Sequence, residues 1–95
     1  MKESNNVFVF NGENSTFPLG IFSTKADAIG FISLHKLNGT LTKYPIDIDI
    51  YSWSVQKGYL KIKNENQKSS KFIEKFSSAY LEHWHISDGI MGDEL

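Results

Sequence analysis

The chain contains no cysteine, so neither disulfide bonds nor cysteine-ligated zinc can stabilise its fold. A chain of 95 residues must then fold around one hydrophobic core, because it is too short to build a second. Aromatic residues make up 14% of the chain and are expected to supply much of the buried area. We predict one domain over residues 1–95, with a core over residues 6–89.

The N-terminal stretch does not have the pattern of a secretion signal. Its first apolar run, Val7–Phe10, is too short for the core of such a signal. No stretch approaches the roughly 20 apolar residues of a membrane span. We therefore expect a cytoplasmic protein that does not associate with membranes.

The basic residues are all lysine, and the chain has no arginine. Reading of nucleic-acid sequence and bidentate phosphate binding both favour the planar guanidinium group of arginine. We therefore predict no nucleic-acid partner. Lysines concentrate between residues 57 and 75, whereas the stretch from residue 82 onward carries only acidic charges. This asymmetry fits either an ordinary solvated surface or an acidic edge that meets a basic partner.

Two short apolar runs near the N-terminus predict a β-hairpin. They span Val7–Phe10 and Phe17–Phe22, with a loop of turn-forming residues between them. Pro18 has no backbone N–H to donate, which predicts that the second strand begins at a sheet edge.

A helix is predicted to follow, because apolar residues then recur at helical spacing. Thr24 is the expected N-cap, and Asn38-Gly39 is the expected end. Gly30 in its middle would weaken the helix by about 1 kcal/mol relative to alanine. We therefore expect Gly30 to permit close packing against the sheet.

The next segment has two readings. A β-prone run, Thr40–Tyr44, leads into residues 46–50, where isoleucine alternates with aspartate as in a half-buried strand. Alternatively, Asp47 or Asp49 caps a helix that ends at Gly58. We favour strand, turn and helix, and an all-strand segment stays open.

The C-terminal third predicts two more strands and one more helix. The strands are residues 59–63 (YLKIK) and residues 82–87 (EHWHIS), the second ending in an Asp-Gly turn. Ser69 or Ser70 is expected to cap the helix between them. Residues 90–95 have the composition of a loose acidic tail.

The element order is therefore ββαβαβαβ. Short strands and helices mixed in so few residues predict an α+β fold, with a mostly antiparallel sheet of about five strands covered by two or three helices.

Several blocks resemble a family of small bacterial single-domain proteins of unknown function. The blocks are VFVFNG, FPLGIFS, AIGFISLHKLNGTLTKYPID, YSWSVQKGYL, SKFIEKFSSA and EHWHISDG. They carry the pattern FNG, FPxG, GTLT, YP and a late HxH over about residues 7–90. The resemblance implies a free-standing bacterial domain and transfers no catalytic or ligand residue to this chain.

The late histidine pair is the most distinctive candidate site. On a strand, His83 and His85 point to one face while Trp84 and Ile86 point to the other. Two imidazoles on one face could share a metal ion with a third ligand such as Asp88. A solvent-facing strand explains the same residues without a metal, so we expect no cofactor and keep a metal- or small-ligand-binding domain, possibly catalytic, as the alternative.

Motifs of covalent and nucleotide chemistry are missing from the sequence, which has no G-x-S-x-G elbow, G-x-G-x-x-G or P-loop. We therefore predict a non-enzymatic protein-binding domain, most specifically a small immunity or inhibitor protein whose partner is a bacterial toxin domain. Acidic and aromatic side chains would form its binding surface. The candidate contact residues are Asp47, Asp49, Tyr51, Glu82, His83, His85 and Asp88.

Overall fold

The computed structural model describes residues 6–94, except the side chains of Asp93 and Glu94. The strands are β1 (Asn6–Gly12), β2 (Pro18–Phe22), β3 (Gly39–Pro45), β4 (His83–Ser87) and β5 (Ile90–Glu94). The helices are α1 (Lys25–Leu34), α2 (Ile50–Gln56) and α3 (Ser70–Glu74), with a 3-10 helix at Glu65–Lys68. Of the described residues, 6–44 and 81–94 form one compact unit, the sheet unit, and 45–80 form a second, the helical unit.

The five strands form one antiparallel sheet in the order β2-β1-β3-β4-β5. The predicted α+β fold, with a mostly antiparallel sheet of about five strands and two or three helices, is therefore confirmed. β1 and β2 form the predicted hairpin, in which Val9 pairs with Ile21 and Phe10 with Gly20. β2 is an edge strand and begins at Pro18, as the missing backbone donor predicts.

The core of the sheet unit lies between α1 and one face of the sheet. Its buried side chains are Phe10, Ala28, Ile32, Leu41, Trp84 and Ile86. The ammonium group of Lys25, at the start of α1, lies 4.2 Å from the centroid of the Trp84 ring. Burial of this aromatic and aliphatic cluster is the main source of stability for a chain without cross-links.

Helix α1 begins as predicted and ends earlier than predicted. The backbone N–H of Asp27 donates to Oγ1 of its N-cap, Thr24, at 3.1 Å. The helix ends at Leu34 because Lys36 takes a left-handed conformation with φ 52°. The N–H of Leu37 then donates to the Ile32 carbonyl at 3.1 Å, which closes a Schellman motif.

Gly30 does not pack against the sheet, so that expectation is wrong. The buried residues of α1 are Ala28 and Ile32. A Cβ added at Gly30 would meet nothing within 4 Å among the described residues. Gly30 therefore faces open space.

The predicted loose tail at residues 90–95 is wrong, because residues 90–94 form β5, while Leu95 lies outside the described residues. Asp88 and Gly89 both have positive φ, 52° and 77°, which is the type I′ geometry that pairs two strands directly. The Gly89 N–H donates to the Leu37 carbonyl at 2.8 Å, and the Gly89 carbonyl accepts from the Ser33 hydroxyl at 3.1 Å. These bonds fix the turn against the end of α1, and so hold β5 beside β4.

In the helical unit, residues 46–50 form a turn and a helix cap, and the all-strand alternative is wrong. Oδ2 of Asp49 accepts from the Ser52 N–H at 2.7 Å and caps α2. Asp47 lies in the preceding turn with φ 67°. The aspartates of the alternating pattern are therefore turn and cap residues, and β3 ends before them at Pro45.

The predicted strand at residues 59–63 does not form. The N–H groups of Tyr59 and Leu60 both donate to the Ser54 carbonyl, at 2.8 and 3.1 Å, and so close the end of α2. The Tyr59 ring stacks on Tyr80 with centroids 4.1 Å apart. Local hydrogen bonds and ring packing here take the place of a strand partner. The observed element order therefore differs from the predicted one, since β5 supplies the fifth strand.

Helix α3 is capped by Ser69, one of the two predicted caps. Its Oγ accepts from the Phe72 N–H at 3.2 Å. The Phe72 and Phe76 rings pack edge-on against Tyr51, with centroids 6.3 and 5.6 Å from it. The Tyr51 hydroxyl donates to the Gln67 carbonyl at 2.8 Å. This aromatic cluster holds α2, the 3-10 helix and α3 together.

Candidate functional site: a polar sheet face around His85

Strand β4 separates its side chains between two faces, as the sequence predicts. Trp84 and Ile86 are buried against α1, with 5% and 4% of their surface exposed. His83 and His85 lie on the opposite face, where His83 is half-buried and His85 is exposed. The histidine pair therefore belongs to a solvent-facing surface of the sheet.

The two imidazoles differ in how firmly they are held. Nδ1 of His83 lies 2.8 Å from the Leu81 carbonyl, and a carbonyl can only accept, so Nδ1 carries the proton of this hydrogen bond. The His85 ring stands edge-on to it, with centroids 5.5 Å apart at 88°. His83 is thus oriented by the backbone, and His85 is the imidazole presented to solvent.

Threonines of β3 extend the polar face beside the histidines. Thr40 pairs with His85 and Thr42 pairs with His83 in the antiparallel register. Residues directly opposite each other share one face of a sheet. The centre of this face therefore combines two hydroxyls and two imidazoles, all of which donate or accept hydrogen bonds.

Two open grooves flank His85 and share it as a wall. The first, of about 450 Å³, is lined by residues 11–15, Gly39, Thr40 and residues 85–87. The second, of about 490 Å³, is lined by His85, residues 87–88 and residues 90–92. Each groove has one lining carboxylate, Glu13 in the first and Asp88 in the second. The lining residues include no lysine, so each groove carries an excess of negative charge, and Ile90 and Met91 make the lining of the second groove mainly apolar.

One residue, Asn38, fixes both groove walls through its backbone carbonyl and its side chain. The Asn38 carbonyl accepts from the Glu13 N–H at 2.9 Å, and its Oδ1 accepts from the Asp88 N–H at 2.7 Å. Gly39 lets the chain pass close by, because a Cβ there would collide with the Asn11 carbonyl oxygen. Asn-Gly is a common turn signal, but its link to Glu13 and Asp88 depends on tertiary contacts that sequence spacing does not reveal.

Three of the other candidate contact residues, Glu82, Asp49 and Tyr51, make contacts within the fold. In the sheet unit, Glu82 forms a 3.4 Å ion pair with Lys43. In the helical unit, Asp49 caps α2 and Tyr51 packs in the aromatic cluster. The pKa of Asp49 lies below its ordinary value of 3.8, because the Ser52 backbone N–H and then the Ser52 hydroxyl donate to the carboxylate. Asp47 is exposed in the preceding turn.

The metal alternative lacks a third ligand in the described part of the chain. Within these residues no three histidine, aspartate or glutamate side chains come together as a metal site requires. His83, His85 and Asp88 therefore do not form a three-ligand set. A zinc site needs at least three protein ligands. The histidine pair alone supplies two.

Fold and surface together define a small α+β domain that buries one sheet face under a helix and presents a polar, acidic face around one exposed histidine. The chain belongs to the family described as Domain of unknown function (DUF7710), which matches residues 7–92. This match confirms membership of an uncharacterised family. No curated protein and no solved structure matches the chain. None of the helices in the described residues has the length and apolar character needed to cross a membrane.

Proposed function

We propose that this chain is a non-enzymatic protein-binding domain, and most specifically a cytoplasmic immunity or inhibitor protein of bacteria that neutralises a partner toxin. The observation that carries the proposal is the polar face around His85, with an open groove on each side of the ring. An exposed imidazole between two grooves can be enclosed by the partner's side chains, as the central residues of protein interfaces are.

The charge of this face favours a basic partner. Glu13 and Asp88 place one carboxylate in each groove. Opposite charges across an interface accelerate association and help fix its orientation. A nuclease-type toxin, which binds the phosphates of nucleic acid through lysine and arginine, fits this requirement.

The openness of the grooves favours binding over catalysis. Sites for small molecules are concave and bury most of their ligand. The acidic grooves beside His85 instead lie on a sheet surface. A macromolecular surface can cover such a face, whereas a small substrate would stay largely solvated.

The proposal is tested by expressing the chain with toxins encoded beside its gene and measuring rescue of growth and complex formation. We expect His85→Ala to weaken the complex by at least about tenfold, since truncation at an interface hot spot costs about 2 kcal/mol. The matched control is His35→Ala, which removes an exposed histidine at the end of α1. Equal loss in both variants, or a His85→Ala complex as tight as that of the wild type, would refute the proposed face.

The alternative function, binding of a metal or small ligand at His83 and His85, is favoured by the 5.5 Å separation of the two rings. Titration of the protein with zinc measures it directly. Micromolar affinity that is lost in a His83→Ala, His85→Ala double variant would support this alternative. Absence of saturable binding would exclude the metal site.

A further inference from the structure

The edge strand β2 lacks one common protection from pairing with another strand. An edge strand carries unpaired backbone N–H and C=O groups, and proteins commonly guard it with charged side chains. The edge strand β2 has no charged residue, and none occurs between Asn14 and Thr24. Pro18 and the register shift guard the N-terminal end of β2, and the remainder of the strand carries no charge.

The side chains of β2 also leave apolar surface uncovered. Ile21 is 66% exposed and Leu19 is 59% exposed. On the helix side, the Phe22 ring covers Gly20, because a Cβ at Gly20 would lie 2.9 Å from that ring. β2 thus offers an uncharged backbone edge flanked by exposed aliphatic side chains.

We propose that β2 pairs antiparallel with β2 of a second copy of this chain, about a two-fold axis at Ile21. The N-terminal end of the strand is unsuited to pairing, since Pro18 lacks a donor and the register shifts between Phe10 and Asn11 of β1. The regular part, residues 20–22, is self-complementary about Ile21, because Leu19 is the residue skipped at the register shift and β2 ends at Phe22. Each Ile21 then faces the other, and Phe22 of each copy lies opposite Gly20 of the second copy.

A second copy suits this edge because a two-fold contact brings identical residues together. Like charges placed directly opposite each other would destabilise the pair. The uncharged stretch from Asn14 to Thr24 removes that cost, and the exposed aliphatic side chains gain by burial.

The expected dimer is weak. Pairing of the three residues 20–22 of each copy covers less than the roughly 800 Å² per partner of a standard interface. We therefore expect a dissociation constant on the order of 100 µM, so that the dimer is populated at high protein concentration.

Sedimentation velocity from about 10 µM to 1 mM tests the contact over the range in which such a dimer forms. The wild type should shift from monomer to dimer. Ile21→Lys places two ammonium groups together at the axis and should raise the dissociation constant at least about tenfold. Ile90→Lys is the matched control, because Ile90 is 71% exposed on the edge strand β5, and it should dimerise like the wild type. A wild type that stays monomeric at 1 mM, or a dimer lost in Ile90→Lys and kept in Ile21→Lys, overturns the proposal.

A cross-linking experiment tests the register and does not require that the charged variant Ile21→Lys fold. The chain has no cysteine, so Ile21→Cys introduces a single thiol. Cα atoms directly opposite each other in an antiparallel pair lie about 4.5–5.5 Å apart, within the reach of a disulfide. Under mild oxidation Ile21→Cys should form a covalent dimer faster than Ile90→Cys. Equal rates in the two variants would contradict the proposed axis.

Discussion

Replacing Gly30 with alanine should stabilise the protein, although the sequence alone suggests the opposite. Gly30 lies in the middle of the ten-residue helix α1. Glycine in a helix interior is less favourable than alanine by roughly 0.5–1 kcal/mol, because more backbone entropy is lost on folding. The added methyl group would meet nothing within 4 Å among the described residues, so no steric cost offsets this gain.

The expected gain in the free energy of unfolding is therefore about 0.8 kcal/mol. For a chain of this size, that corresponds to a rise in Tm of about 3–6 °C. Urea unfolding followed by circular dichroism should give a higher midpoint with an unchanged m-value, since the surface exposed on unfolding stays the same.

The matched control is Gly89→Ala, which should act in the opposite direction. Gly89 has φ 77°, and its added Cβ would lie 2.9 Å from the Lys36 Cα and 3.0 Å from the Ile32 carbonyl oxygen. Strain of this kind costs about 1–3 kcal/mol. Destabilisation by Gly30→Ala would refute the reasoning, because it would mean that the helix packs closely at Gly30 after all.

Two other substitutions test the helix ends. Lys36→Gly should stabilise the fold by about 0.5–1 kcal/mol in urea unfolding, because Lys36 occupies a left-handed conformation that glycine adopts without steric cost; a lower midpoint would contradict this. Asp49→Asn keeps a capping oxygen that does not titrate. Because the pKa of Asp49 is depressed in the folded state, its carboxylate stabilises the fold fully above the ordinary pKa of 3.8. This stabilisation is lost as the pH falls through the folded-state pKa. The stability of the wild type relative to Asp49→Asn should therefore fall between pH 5 and pH 2, and a constant difference would refute this role.

Local signals in the sequence predicted the features that depend on neighbouring residues. Thr24 and Ser69 act as helix caps because a side-chain oxygen followed three residues later by a free N–H is a local arrangement. The alternation in β4 identified the buried and exposed faces, since side chains in a strand alternate regardless of what covers them.

The two strand errors have a common physical cause. Residues 59–63 alternate apolar and polar side chains as a strand does. The N–H groups of Tyr59 and Leu60, however, donate to the Ser54 carbonyl within the same helical unit. Residues 90–94 are a short segment that contains two acidic residues, but the Asp88-Gly89 turn holds this segment beside β4. A strand needs a partner edge as well as a suitable pattern, and the partner is determined by tertiary structure.

The candidate site was predictable where it depends on alternation within one strand, and not where it depends on tertiary contacts. Alternation placed His83 and His85 on one face, as observed. The grooves on either side depend on Asn38, which joins the loop that carries Glu13 to the turn that carries Asp88. Because these segments are distant in sequence, composition and spacing could not indicate that they meet.

The proposed partner-binding surface is centred on His85 in β4, whereas the proposed dimer contact is at Ile21 in β2. Together the two proposals predict how a dimer would present its binding surfaces. Pairing of two sheets edge to edge about an axis perpendicular to the sheet keeps corresponding faces on the same side. Both copies of the dimer would then present His85 in one direction, and a partner with two binding surfaces would bind with increased avidity. Ile21→Lys should remove only this avidity and leave the affinity for a single-site partner unchanged. His85→Ala should weaken binding to both kinds of partner, because it alters the contact surface itself.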